Sequence, residues 1–246
     1  MSGTVAIIQA RVGSQRLPRK VLTDIEGATM LARVVERVRA SNRIDEIVIA
    51  TSDRPGDDAI VDEAAKLGVA VYRGSETDVL SRYVGAAQEH KADAVLRVTA
   101  DCPLLDADVI DSVVGALVRD VDYTSNTHTR TYPRGLDVEA FHGDTLYRIA
   151  RMATSPQARE HVTSFVMDAP ELFRTRQICA EIDDSVLRWT VDTSADLALV
   201  RTLYARFGLA ARHVPYRELV AAVRATSGLH KINGHVQQKP LSLNAG

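Results

Sequence analysis

The chain has 246 residues, 46% hydrophobic and 25% charged, the balance of a soluble globular protein with a sizeable core. Its formal net charge of -2 excludes a global field that would hold nucleic acid. Two cysteines, Cys102 and Cys179, form no CxxC pair, which argues against a zinc ribbon or disulfide scaffold and fits a reducing cytoplasm. Residues 4–9 read as a strand, and Met30, Val34, Val35 and Val38 recur at helical spacing. A second strand is expected at 46–50, a helix on Ile60, Ala64 and Leu67 stopped by Gly68, and an apolar strand at 94–99. This alternation predicts a parallel sheet with right-handed crossovers and helices on both faces. After Asp122 the pattern loosens. Short strands are expected at 136–141, 175–178 and 188–191, with helices near 144–152, 195–207 and 216–225. Residues 228–246, rich in Asn, Gln and Gly, read as a flexible tail. Arg11 interrupts the only early apolar run, so no signal-peptide layout is expected, and no run reaches the roughly 18 apolar residues of a membrane span.

The stretch IIQARVGSQRLPRK at 7–20 places Arg11, Arg16, Arg19 and Lys20, with Gly13 and Ser14, directly after the first strand. No acidic residue precedes Asp24. Small residues let phosphate oxygens approach the backbone, guanidinium groups supply forked donors, and lysine supplies a point charge. A solvated basic loop is the bland alternative, yet the carboxyl end of a first strand is where open α/β sheets bind ligands. Asp101 follows the strand at 94–99 and precedes Cys102 and Pro103. A carboxylate there is placed to hold Mg²⁺ against nucleotide phosphates; the alternative is a turn or cap for the helix starting near Asp106. Asp192 ends another strand-like segment, and Asp196 reads as favourable charge in the first turn of the next helix, capped by Thr193 or Ser194. Ser75 or Thr77 is expected to cap a helix entered at Val79 and Leu80. Asn126, Arg134, Asp137, Glu139, Arg159, Glu160, His161 and Arg188 collect the polar residues of the second half. Paired arginines there offer bidentate binding to carboxylate, phosphate or phosphonate, against surface or salt-bridge roles for each taken singly. His161 has no second histidine at metal-ligand spacing, and Cys102, without a Cys-His arrangement, reads as a packed thiol.

Seven segments in order, ARVGSQRLPRK (10–20), YRGSETDVLSRY (72–83), RVTADCPLLD (97–106), DYTSNT (122–127), RGLDVEAF (134–141), REHVT (159–163) and LRWTVDTSAD (187–196), resemble the nucleotide-sugar cytidylyltransferases. The likeness is greatest to the spore coat polysaccharide branch, related to the CMP-KDO and CMP-acylneuraminate synthetases, and covers about residues 4–207. That family often has Gly where Arg19 and Ala100 stand. The resemblance implies a GT-A-like α/β fold with a mostly parallel, mixed central sheet flanked by helices. One domain is expected over 1–227, with a nucleotide-binding half to about 121 and an acceptor-binding half from about 122. It implies transfer of CMP from CTP to a small anionic acceptor with release of pyrophosphate, and Mg²⁺ on Asp101 and Asp192. Ala10, Arg11, Gly13, Ser14, Arg16, Lys20, Arg73, Asp78, Arg82 and Asp101 are expected at the nucleotide, with 72–83 as the wall that reads the base. Asn126, Arg134, Asp137, Glu139, Arg159, His161 and Arg188 are expected at the acceptor. Location in the cytoplasm is expected, without nucleic acid or membrane partners, and a homodimer is left open. Two rivals stand: a glycosyltransferase with a DxD pair at Asp106 and Asp108 or Asp120 and Asp122, and a non-catalytic nucleotide-binding module.

Overall fold

The computed structural model describes residues 3–14, 16–226 and 228–238. The first strand, β1 (Thr4–Gln9), is apolar on both faces because both are covered: Ala6 and Ile8 enter one core, Val5 and Ile7 another. Beyond the basic loop, a short hairpin of β2 (Asp24–Ile25) and β3 (Ala28–Thr29) leads into α1 (Met30–Arg39), capped by the Thr29 side chain. Then come β4 (Glu46–Ser52), α2 (Asp58–Leu67), β5 (Ala70–Gly74), α3 (Val79–Glu89), β6 (Ala94–Thr99) and α4 (Ala107–Gly115). Gly68 closes α2 at φ 61, the left-handed conformation that stops a helix cheaply only at glycine. The second half holds β7 (Tyr123–Ser125), β8 (Glu139–His142), α5 (Gly143–Met152), α6 (Pro156–His161) and α7 (Ser164–Asp168). It ends with β9 (Thr175–Gln177), α8 (Ser194–Phe207) and α9 (Tyr216–Ala225).

Seven strands form one sheet in the order β5-β4-β1-β6-β8-β7-β9. The first four run parallel, β8 is antiparallel to β6 and β7, and β9 pairs parallel with β7. Helices α1, α2, α4, α8 and α9 pack on one face, and α3, α5, α6 and α7 on the other. The chain runs outward from β1 through β4 to β5, then returns to β6 on the other side of β1. β1 and β6 are neighbours whose loops lead to α1 and α4 on the same face, and these loops border a crevice at the carboxyl ends of the two strands.

The strand expected at 46–50 continues to Ser52, and that expected at 136–141 pairs only from Glu139. No strand forms at 188–191. That segment divides its amides between two loops, Trp189 N and Thr190 N donating to Arg134 O and Val191 N to Asp101 O, so it makes one bridge, Arg134 to Arg188, and no ladder. Asp78, not Ser75 or Thr77, caps α3. The expected tail at 228–246 needs correction over its first part. Leu229 is buried in the core, Asn233 is buried and hydrogen-bonded, and a 3-10 turn spans Leu229–Lys231, so burial outweighs the polar composition. Residues 239–246 lie outside the described residues.

Candidate active site

β1 and β6 end side by side, Gln9 in register with Thr99, and the loops beyond them face each other across a cavity of about 510 Å³. Arg11, Gly13, Ser14, Arg16 and Lys20 line it from one loop, Ala100 and Asp101 from the other, and Asp192 from the start of α8. Lys20 Nζ donates to Asp101 Oδ2 at 2.9 Å, to Asp192 Oδ1 at 2.8 Å and to Val191 O at 2.9 Å. Two carboxylates distant in sequence thus converge on one cation. Arg16 adds a contact to Asp192 at 3.3 Å, and the Thr99 hydroxyl fixes Asp101 Oδ1 at 2.7 Å. Burial disfavours the Lys20 ammonium, but Asp101 and Asp192 outweigh it and raise its pKa above 10.5. Burial likewise favours neutral Asp192, but Lys20, Arg188 and Arg16 hold that carboxyl below its ordinary 3.8.

The basic loop is held by a residue that sequence reasoning passed over. Asp57 is buried, and its Oδ1 accepts from Val12 N at 2.7 Å while Oδ2 accepts from Ser52 N at 3.3 Å. Its only signal was a Pro-Gly-Asp turn, and such turns are common. Within the loop, Val12 O accepts from Ser14 N and Arg19 N. Arg19 stands at φ 55, where glycine is unstrained, and this is a position at which the resembling sequences often have glycine.

The donor chemistry suits Mg²⁺. Asp101 and Asp192 direct hard carboxylate oxygens at one point, which the Lys20 ammonium takes here and would yield to or share with the ion. Among the described residues no group of three or more His, Cys, Asp or Glu could hold a metal. Further ligands would therefore be phosphate oxygens and water, the usual arrangement for this ion.

Several residues expected at the nucleotide are engaged outside the cavity lining. Arg73 pairs with Asp58 at 2.7 Å and donates to the carbonyls of Ser52 and Arg54. Asp78 accepts from Ser81 N at 2.9 Å and pairs with Arg159 at 2.5 Å. Arg82 is fully buried, its Nη1 donating to Ser75 O at 2.6 Å and Glu76 O at 3.1 Å, so it props the turn whose Glu76 does line the cavity. Ala10 is buried, its N–H donated to Ala50 O.

Thr99 also lines a second cavity of about 490 Å³, together with Arg134, Asp137, Glu139 and His161 of the expected acceptor set. Arg97, Thr127, His128, Arg130, Thr163 and Ser164, which the sequence did not single out, complete much of its wall. Arg97 had a signal: a charge inside the apolar run VLRVT. It faces Glu139 across the β6–β8 register and pairs with it. Glu139 also accepts from the Tyr123 hydroxyl and from Thr163 Oγ1 at 2.7 Å. Burial would raise this carboxyl, but Arg97 and the two hydroxyls hold it below 4.5. Arg130 grips Asp137 with both Nη atoms, at 2.5 and 2.9 Å. Arg134 has no carboxylate partner among the described residues, and burial, then the like charge of Arg130, lower its pKa.

The remaining acceptor candidates do not line this cavity. Asn126 is buried and ties Leu136 O to Val138 N. Arg159 lies on Asp78, and Arg188 grips Asp196 at 2.9 Å and Asp192 at 2.8 Å. The two cavities share Thr99. Beside them, Gly135 stands at φ 109, where a Cβ would come within 2.4 Å of Thr190 N. Only glycine lets the Arg134 loop approach the chain leading to Asp192 this closely.

Neither DxD candidate resembles a metal pair. Asp106 is buried as the cap of α4 and accepts from Tyr216 N, and Asp122 clamps the Arg174 backbone and guanidinium. Cys102 is buried, and burial and then Asp101 push its thiol pKa well above 9.0. No helix among the described residues is long and apolar enough to cross a membrane.

The chain is similar to known proteins in sequence and in fold. The spore coat polysaccharide biosynthesis protein SpsF of Bacillus subtilis is 35% identical over 216 residues, covering 85% of this chain and 89% of its own. The structure of a cytidylyltransferase from Leptospira borgpetersenii superposes with a TM-score of 0.90 at 29% identity, over 98% of this chain and 100% of that one. A CMP:2-keto-3-deoxy-manno-octonic acid synthetase complexed with CTP shares the fold, with a TM-score of 0.61 at 22% identity over 84% of this chain and all of its own. The family model described as Cytidylyltransferase matches residues 5–201, which include the basic loop and both converging aspartates, and the chain belongs to that family.

Proposed function

We propose that this nucleotidyltransferase moves CMP from CTP to a small anionic acceptor, releasing pyrophosphate with the help of Mg²⁺. The observation that carries the reading is the convergence of Asp101 and Asp192 on the Lys20 ammonium, in a loop that also brings Arg11 and Arg16 to the cavity. Asp101 and Asp192 would hold the metal, which when bound neutralises phosphate charge and aligns phosphate oxygens. The basic loop binds the triphosphate and stabilises charge on the departing pyrophosphate. The CTP-bound relative of the same fold supports CTP as the nucleotide.

The acceptor reading rests on the second cavity, which meets the first at Thr99. Glu139 and Asp137 are matched by Arg97 and Arg130, which leaves the Arg134 guanidinium to receive an anionic group. An ionised phosphate or phosphonate acceptor would need no base, whereas a sugar-acid hydroxyl would need one. The cytoplasm is the proposed location.

Pyrophosphate release over four nucleoside triphosphates and a panel of sugar acids, phosphosugars and phosphonates tests the reading. CTP should be preferred, with UTP about two orders of magnitude poorer in kcat/KM, because a site that hydrogen-bonds the cytosine edge rejects a base that leaves those groups unpaired. Equal use of CTP and UTP with the best acceptor would remove cytidylyl specificity from the proposal.

Lys20→Ala and Arg11→Ala should raise KM for CTP about tenfold or more while leaving KM for the acceptor near normal, since both sit in the phosphate loop. Loss of acceptor affinity with normal CTP saturation would reverse that assignment.

A further inference from the structure

We propose that the segment after α9 belongs to the catalytic apparatus, with Asn233 as a positioning residue for the Asp192 carboxylate. This rests on the reading of Asp192 as a cation ligand. Asp192 Oδ2 accepts from Arg188 Nη2 at 2.8 Å, so the direction of the Arg188 side chain sets the direction of the carboxylate. Arg188 is in turn gripped by Asp196, which accepts from its Nε at 2.9 Å and Nη2 at 3.2 Å. Asp196 Oδ2 also accepts from Asp192 N at 3.0 Å, fixing the backbone that carries the ligand.

Asn233 completes this cluster from the far end of the chain. Its residue is 3% exposed, and its Nδ2 donates to Arg188 O at 2.8 Å and to Asp196 Oδ1 at 2.9 Å. One amide therefore ties the Arg188 backbone to the carboxylate that orients the Arg188 guanidinium. Gln238 adds a second tie, its Oε1 accepting from Arg188 Nη1 at 2.6 Å, and it also lines the second cavity. Leu229, packed in the core, anchors the start of the segment, so these contacts come from a held piece of chain.

A helix cap alone would require none of this. The reciprocal bonds between Thr193 and Asp196 already satisfy the start of α8. Arg188 and Asn233 add donors to a carboxylate that is fully buried, and they point its cluster at Asp192. Partners that orient a metal ligand typically change metal affinity or activity by about 10- to 100-fold when lost.

The test compares the full chain with Asn233→Ala and Gln238→Ala. Mn²⁺ binding in the presence of CTP is followed by electron paramagnetic resonance, alongside the Mg²⁺ dependence of pyrophosphate release and the melting temperature. Asn233→Ala should weaken Mn²⁺ binding about tenfold or more and raise the half-saturating Mg²⁺ concentration in step. Gln238→Ala, at an exposed residue that can be changed without harm to folding, should weaken it about threefold. Unchanged Mn²⁺ affinity in folded Asn233→Ala would overturn the inference, even if that variant melted earlier. If Asn233→Ala did not fold, unchanged affinity in Gln238→Ala would overturn it. Wild-type protein that turns over CTP yet binds no Mn²⁺ would instead remove Asp192 from metal duty, and the inference would fall with that reading.

Discussion

Asp101→Asn and Asp192→Asn are each expected to lower pyrophosphate release by about two orders of magnitude or more, since loss of a charge-stabilising ligand costs about 3 kcal/mol or more in the transition state. The two variants should differ in stability. Asp192 faces Lys20, Arg16 and Arg188, so its neutralisation leaves three cations around an uncharged amide. Asp101 has Lys20 alone as its cationic partner among the described residues, and Asp192 remains to hold that lysine when Asp101 is changed. The melting temperature should therefore fall further in Asp192→Asn. Turnover against Mg²⁺ concentration, with melting curves on the same preparations, checks both statements. Near-normal Mg²⁺-dependent turnover in either variant would remove that aspartate from the metal site.

Glu139→Ala should produce the largest loss of stability. An ion pair buried on both sides adds little net stability, because desolvation offsets attraction, but removing one half strands the other. Here the stranded group is Arg97, together with two hydroxyls that lose their acceptor. The expected cost is about 3–5 kcal/mol, which in a chain of this size lowers the melting temperature by about 10 °C. The folded-state pKa of Glu139 is depressed below 4.5, so its contribution is present above that value and is lost as pH falls through the folded pKa. The gap between wild type and Glu139→Ala should accordingly be full near neutral pH and shrink once the pH drops well below 4.5. Denaturant unfolding at about pH 7 and about pH 3 measures it. A gap of the same size at both would show that the charge on Glu139 is not what stabilises the β6–β8 pair.

Much of the first half of the chain is legible in its sequence. Apolar runs covered on both faces carry their own signature, so the bounds of β1 and β6 agree with expectation, and helices such as α1 declare themselves by spacing. The basic loop and Asp101 are legible for a related reason: both follow directly from apolar strands, and strand ends are where this architecture places ligands. Position along the chain thus points to the two loops, to a largely parallel α/β sheet and to Asp101, whereas the metal role of Asp192 is implied by the family resemblance. Position does not determine which charges face a cavity. Arg73, Asp78, Arg82 and Arg159 carry the same side chains whether they meet a ligand or one another, and only the packed chain pairs Arg159 with Asp78 and buries Arg82 under its own turn. The convergence of Lys20, Asp101 and Asp192 is likewise a tertiary fact, because it depends on β1, β6 and the start of α8 meeting at one point. The segment 228–238 shows the same limit most plainly: its polar composition describes a tail, but a single buried leucine and two amides with distant partners make it part of the core around Asp192. Composition and spacing report what a residue prefers by itself, whereas a hydrogen bond across the fold depends on a partner whose distance the sequence does not contain.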